Sequence, residues 1–461
     1  VPVSPGNPQE IIPKAAINAF VDQQLETHGY FDWRMASDTM VWSALLHGDS
    51  ILSVGYTDAA SASQILQLSG ENEKNGMQEN MLRSSSAEKL RFLNIKVSQY
   101  ATVKALRASA GVRYAEPIGY GAYMRDVSQK DAAAASDILA SGCGYNSPKA
   151  DLTAGLDYTL IAPAAKLSWN YAYHRIPEAW QQSTGQRVKV MIIDTGVSPQ
   201  QENLGVAFNQ GASFGRTIQK LGTYYYTSPD DGCGHGTSMA GVLAGPRGTD
   251  GNAVGIAYNC DLVVVHAADN VILLSSDAIN GVTNAYVAGA DDPAVKIISM
   301  SMGTVFSSGQ IKDAISYAYH KQKLLFCAAG TSTSFFARFV GVIFPANQPE
   351  VVAVTGMKDN MEDRCDNCHT GRKVDFAIVM QKSTGRNPLS IAMAGDVPST
   401  VGGSSVATAS CAAIAALVWS KYPSYPRDSI IARMARASGF ADNRSRKFGW
   451  GIINAAAAVG Y

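Results

Sequence analysis

Val188-Lys189-Val190-Met191-Ile192-Ile193-Asp194-Thr195-Gly196 is the stretch on which the fold turns. A largely apolar run of this length suits a strand buried on both faces of a parallel sheet. Asp194 then stands at the carboxyl end of that strand, where open α/β sheets place their sites, and Thr195-Gly196 turns the chain. Further along, Gly234-His235-Gly236-Thr237 leads into 238–244, a small-residue segment that reads as a helix carrying His235 in its first turn. Glycines on either side let a bound backbone approach the imidazole. Gly403-Ser404-Ser405-Val406-Ala407 opens a second, alanine-rich helix through Leu417. A serine there lies at the positive end of the helix dipole, with its own N–H free to meet a developing oxyanion.

Taken singly, each motif is ordinary: an aspartate ending a strand is usually a turn former, and a serine before a helix is usually an N-cap. Together they supply the hydroxyl nucleophile, imidazole base and orienting carboxylate that acyl transfer requires, which makes Asp194, His235 and Ser405 the candidate catalytic set.

From Ala165 to the C-terminus the chain resembles the subtilisin-like (subtilase) serine endopeptidases, whose triad runs in the same Asp, His, Ser order. Ile297-Ile298-Ser299-Met300-Ser301-Met302-Gly303 is similar to the family strand along one wall of the substrate cleft, and Leu324-Leu325-Phe326-Cys327-Ala328-Ala329-Gly330 to the opposite wall. Segments 344–354 and 448–455 resemble the family's late strand and closing helix. The resemblance implies an α/β, three-layer fold with a mostly parallel central sheet. It also implies a peptide paired between Ser301, Met302 and Gly303 on one side and Val271 to Leu274 on the other, with Leu273 and Met302 making an apolar outer pocket and Ala328, Ala329 and Gly330 the facing wall, although Val271 to Leu274 reads nearly as well as a plain core strand.

The chain departs from the family at three positions. Where most members carry an oxyanion-binding Asn, this chain has Thr331. A threonine hydroxyl donates one hydrogen bond over a shorter reach. Three readings stay open: Thr331 as substitute donor, Ser332 or Thr333 in its place, or a weakened enzyme. Ala409 replaces a customary proline, without chemical consequence. Ile343 stands where broad-specificity members have glycine at the floor of the primary pocket, which implies a shortened pocket and a small or medium apolar residue before the scissile bond.

Ahead of this region, 50–56, 91–97 and 112–117 read as strands, with helices at 60–68 and 102–109 between them. The β-α-β-α-β order ending in Val-Arg-Tyr-Ala-Glu-Pro resembles the family's inhibitory prodomain, although a small α+β accessory domain would read the same way. Two apolar-periodic segments, 15–25 and 35–46, are expected to pack against it as helices. The resulting division is 1–125 as prodomain, 126–164 as a linker holding the maturation bond, and 165–461 as the protease. The prodomain would then be an intramolecular inhibitor, and the chain a proform.

At 461 residues, 46% apolar and with 38 basic against 38 acidic side chains, the chain has the composition of an ordinary globular protein. Its zero net charge gives no support for a nucleic-acid or anionic-membrane partner, and no apolar run reaches the ~18 residues of a spanning helix. The opening Val1-Pro2-Val3 reads as a chain whose export signal has been removed, hence one that acts outside the cytoplasm, although a trimmed chain would begin the same way; it is expected to be a monomer.

Seven cysteines allow three disulfides at most. Cys365 and Cys368 are the first candidates for a local bridge, ahead of the haem or zinc reading of Cys365-Asp366-Asn367-Cys368-His369, and Cys233 to Cys260 is a second conceivable pair. No metal or cofactor is expected to take part in the chemistry. Calcium, the family's usual structural ion, stays open at Asp250-Gly251-Asn252, though two oxygen-bearing side chains fall far short of the roughly six to eight ligands it needs.

Overall fold

The computed structural model describes residues 10–73, 81–82, 86–123, 143, 147–223, 226–331 and 341–460. Most of the expected linker, 126–142 and 144–146, therefore lies outside the described residues, as do Ser332 and Thr333.

The N-terminal unit contains helices α1 (Lys14–His28), α2 (Asp38–His47), α3 (Ala59–Asn72), α4 (Ala87–Leu90) and α5 (Tyr100–Ala108). They pack around an antiparallel sheet in the order β2-β3-β1-β4, built from β1 (Ile51–Tyr56), β2 (Met81–Leu82), β3 (Phe92–Lys96) and β4 (Val112–Ile118). Ser37 caps α2 by accepting the Met40 N–H at 3.2 Å, and Asp58 caps α3 by accepting from Ser61 at 2.8 Å. This is a small α+β region with its own core of Ile17, Val21, Trp42, Val54, Val103 and Leu106.

Downstream, a short hairpin of β5 (Tyr158–Ile161) and β6 (Ala165–Ser168) and the one-turn helix α6 (Ile176–Ala179) precede the main sheet, and the boundary expected at residue 164 falls inside the hairpin. The central sheet has seven parallel strands: β7 (Lys189–Asp194), β8 (Ile218–Leu221), β9 (Asp261–His266), β10 (Val295–Met300), β11 (Leu324–Ala328), β12 (Val352–Lys358) and β13 (Val374–Gln381). Their order is β13-β12-β11-β10-β7-β9-β8. The alternation of apolar side chains explains why both faces are covered. Val190, Ile192, Leu262, Val264 and Phe326 join one core with α7 (His235–Ala244) and α8 (Ser404–Lys421). Met191, Ile193, Val263, Val265 and Leu325 join the opposite core with α9 (Ser276–Asp291) and α10 (Gly309–His320). The chain thus forms the α/β three-layer architecture that the family resemblance implies, with 189–194 as the parallel strand buried on both faces that the apolar run predicts.

The antiparallel sheet rests on α9 and α10 through polar groups. Asp49 Oδ2 accepts from the Ser276 N–H at 3.0 Å, and Glu116 Oε1 accepts from the Gly309 N–H at 2.5 Å, so each side chain meets the N-terminus of one helix. Beneath the sheet, Ser53 donates to Gln310 at 2.8 Å and Asn94 to Asn280 at 2.7 Å, and Arg113 grips Asp313 through two bonds at 2.7 and 2.8 Å. Most of the polar groups buried here find a partner among the described residues, the exceptions at this pair being Asn94 Oδ1 and Asn280 Nδ2.

Candidate active site

β7 lies between β10 and β9, at the point where the chain crosses from one half of the sheet to the other. Asp194 ends β7 at this switch point, fully buried. His235 begins α7 and is 2% exposed; its Nδ1–H donates to Asp194 Oδ1 at 2.7 Å, which leaves Nε2 as the acceptor. Burial opposes the imidazolium, but the charge and hydrogen bond of Asp194, joined by the charge of Asp231, prevail and raise the His235 pKa above its ordinary value of 6.5. Ser405 is the second residue of α8, and its Oγ donates to the Ser301 carbonyl at 3.4 Å rather than to His235. Ser301 Oγ in turn donates to the Ser405 carbonyl at 3.1 Å.

Sequence reading overlooked Asp231. Its buried carboxylate accepts five hydrogen bonds: Oδ1 from Thr195 Oγ1, Cys233 N and Gly234 N, and Oδ2 from Thr237 N and Thr237 Oγ1, all at 2.7–2.9 Å. Thr195 Oγ1 also accepts from the Gly236 N–H at 2.9 Å. The loop leaving Asp194 and the loop arriving at His235 are thereby tied to one group. A lone aspartate in Asp230-Asp231-Gly232 reads as a turn, and only the closed loop shows otherwise.

Thr331 Oγ1 accepts the Ser404 N–H at 2.9 Å and lies 2.7 Å from Ser404 Oγ. Gly403 permits this approach, since at φ 89° a Cβ there would stand 3.0 Å from Thr331 Oγ1. Behind the same strand, a Cβ on Gly330 would fall 2.4 Å from His369 Nδ1, which bonds the Gly341 carbonyl at 2.9 Å. Burial pushes the His369 pKa down to about 4, so the ring is neutral and donates from Nδ1. Ala328 and Ala329 are buried in the same wall.

The other wall differs from expectation. The Gly303 N–H donates to the Val271 carbonyl at 2.9 Å, and the Leu273 N–H to the Gly303 carbonyl at 3.0 Å. The two edges expected to flank a peptide are bonded directly to each other. Leu273 and Met302, expected to line an outer pocket, are each 2% exposed and belong to the core beneath. Ile343 is half-buried between the walls: its N–H donates to the Ala329 carbonyl at 3.0 Å, and its Cδ1 lies 2.6 Å from where a Gly303 Cβ would be.

Cys365 and Cys368 form a disulfide packed against Gly356, with His369 turned inward to Gly341. The Cys233 to Cys260 pair is not formed. Cys233 bonds Cys143 instead, which joins the expected linker to the loop before His235, and Cys260 is a buried thiol. Connectivity of this kind depends on where the linker runs, which spacing does not encode.

Among the described residues no cluster of three His, Cys, Asp or Glu could hold a metal. At the loop left open for calcium, Asp250 Oδ2 accepts from Gln210 at 2.8 Å, Asp250 Oδ1 accepts from the Asn252 N–H at 3.0 Å, and the Lys166 ammonium donates to the Gly251 carbonyl. With its oxygens engaged and a cation already beside them, this donor set does not fit calcium.

The Subtilase family model matches residues 185–451. Subtilisin DY of Bacillus licheniformis is 31% identical over 279 residues, covering 60% of this chain and 92% of its own, and thermitase of Thermoactinomyces vulgaris is 26% identical over 285 residues, covering 62% and 93%. An epidermin leader peptide processing serine protease from Staphylococcus aureus shares the fold over 89% of this chain and 99% of its own, with a TM-score of 0.60 at 16% identity.

Proposed function

The chain belongs to the subtilase family of serine proteases, and on that premise we propose that it is a secreted serine endopeptidase in its proform. The observation that carries the proposal is the buried Asp194–His235 bond of 2.7 Å beside a serine in the first turn of α8. His235 Nε2 takes the Ser405 proton as Oγ attacks the peptide carbonyl; Asp194 holds the imidazole and balances its charge; the Ser405 N–H and Thr331 receive the oxyanion. The proton then passes to the leaving amine, and water releases the acyl group by the same path.

Before attack, Ser405 Oγ must exchange the Ser301 carbonyl for His235, and the bonds between Val271, Leu273 and Gly303 must open. A peptide entering as an added strand offers one N–H and one C=O for each bond it displaces, so the exchange is nearly balanced. Both features fit a latent proform whose N-terminal unit acts as inhibitor, and the two disulfides fit an oxidising, extracytoplasmic compartment. Among the described residues no helix is long and apolar enough to cross a membrane. Peptide or protein is the partner proposed, with neither nucleic acid nor membrane, acting on a monomer.

The same latency is what an idle subtilase fold kept for binding would show, and one experiment separates the two. After removal of the N-terminal unit, a fluorophosphonate is expected to add its mass to Ser405, and Ser405→Ala to abolish both label and peptide cleavage. Absence of label on the trimmed wild type would leave the binding role.

The position of Ile343 gives a specificity prediction. Peptide-library profiling is expected to show cleavage after small or medium apolar residues. Ile343→Gly should raise kcat/KM for phenylalanine relative to alanine by about 10- to 100-fold, the range available from pocket shape. Efficient wild-type cleavage after Phe or Tyr would refute this.

A further inference from the structure

Thr331 and Ser404 bring two hydroxyl protons to a site with room for one of them between their oxygens. Ser404 Oγ accepts from the Gly330 N–H at 3.3 Å, and Thr331 Oγ1 accepts from the Ser404 N–H at 2.9 Å. One hydroxyl must therefore donate across the 2.7 Å gap, and the other keeps a proton to spare. If Thr331 donated, the spare proton would sit on Ser404, which is 0% exposed and has no other acceptor among the described residues. A buried donor without a partner is the costlier choice. If Ser404 donates, Thr331 Oγ1 accepts twice and its own proton is the spare one, on a side chain that is partly exposed. The structure thus polarises the pair in one direction.

The consequence falls on the oxyanion. Helix α8 begins at Ser404, so the N–H groups of Ser404 and Ser405 have no acceptor within the helix. The first is taken by Thr331, which leaves the Ser405 and Val406 N–H groups and the Thr331 O–H as the donors still available at this end, Ala407 being the first to bond within the helix.

We propose that Ser404 is a positioning residue: by donating its own hydroxyl proton to Thr331 Oγ1 it turns the Thr331 proton toward the oxyanion, and so lets a threonine do the work of a longer donor. The Ser404 hydroxyl bonds Gly330 and Thr331, not the Ser405 hydroxyl, and acts on the reacting carbonyl only through Thr331. The inference rests on the acyl-transfer reading of Ser405 and deepens it.

Its test is kinetic, on the activated chain with an apolar peptide p-nitroanilide, all rates being normalised to the fraction of Ser405 titrated by fluorophosphonate. Ser404→Ala is expected to lower kcat by about 10-fold with KM unchanged within two-fold, because the lost interaction exists only in the transition state. Ser404→Thr, which keeps the hydroxyl, should restore the rate. Thr331→Val should cost about 100-fold, and adding Ser404→Ala to it should cost nothing further. Thr331→Asn brings its own amide donor, and in that background Ser404→Ala should cost less than about 3-fold. A Ser404→Ala loss that is equally large beside Thr331→Val or Thr331→Asn, a loss expressed in KM, or a kcat within two-fold of wild type would each overturn the inference. A wild type that takes no label overturns the acyl-transfer reading and this inference together; a labelled wild type with an unaffected Ser404→Ala variant overturns this inference alone.

Discussion

Asp231→Asn is expected to lower kcat by about 100-fold, although Asp231 touches neither substrate nor nucleophile. Its two oxygens accept five hydrogen bonds from Thr195, Cys233, Gly234 and Thr237. An asparagine keeps one oxygen and turns an NH2 group toward the donors at the other position, so at least one fixed backbone N–H, that of Thr237 or those of Cys233 and Gly234, then faces a donor, and the threonine hydroxyl on that side must turn round to accept. Thr195 follows Asp194, and Cys233 and Gly234 precede His235, so both partners of the 2.7 Å bond lose their common anchor. Displacement of about 1 Å in a catalytic group is enough for a loss of this size.

A second readout separates positioning from simple loosening. Activity requires neutral His235 and falls as pH drops through its raised pKa. Asp231 is one of the charges raising that pKa, behind burial and Asp194 in size. Removing it should move the acid limb of kcat/KM to lower pH, so the variant loses relatively less at acid pH than at alkaline pH. A variant with kcat within about three-fold of wild type and an unmoved acid limb would sink the idea.

What the sequence makes legible here is what short-range pattern controls. The alternation in 188–193 assigns Val190 and Ile192 to one face of the sheet and Met191 and Ile193 to the other, and the small residues after His235 and Ser405 form helices as their composition predicts. In the N-terminal unit, strands read at 50–56, 91–97 and 112–117 occur at Ile51–Tyr56, Phe92–Lys96 and Val112–Ile118. Long-range closure is what the pattern does not carry. Val271 to Leu274 reads nearly as well as a core strand as it does as a peptide-pairing edge, and the choice is made by Ile272 bridging to Gly303 across more than one element. Asp231, the Thr331–Ser404 pair and the Cys143–Cys233 bond each join residues brought together by loops, and no local periodicity marks a loop's destination.

Between pH 4.5 and 8 the N-terminal unit is expected to lose its grip on the protease progressively, by up to about 1000-fold in affinity, because of Glu116. Burial against α10 raises this carboxyl from 4.5 to about 8. The Gly309 N–H and the charges of Lys312 and Arg34 oppose the rise, while Asp32 adds to it. Once the unit undocks, the side chain meets water and its pKa returns toward 4.5. Within that window the docked form therefore holds a proton that the free form has given up, so docking weakens as pH rises and levels off on either side. Asp32 contributes with the opposite sign and elsewhere: despite its burial, hydrogen bonds from Arg34 and the charge of Lys312 hold its pKa below the ordinary 3.8, so its stabilisation is lost only in stronger acid. The expected result is that after linker cleavage ahead of Cys143, whose bond to Cys233 would otherwise keep the unit tethered, the N-terminal unit separates on gel filtration at pH 9 but co-elutes at pH 6, with fluorophosphonate labelling of Ser405 rising in step. Glu116→Gln is neutral at every pH and close in shape. It should keep the unit docked at pH 9 and flatten the dependence. Equal dissociation of the wild type at pH 6 and 9, or an undiminished slope in Glu116→Gln, would assign the control of latency to other groups at the interface.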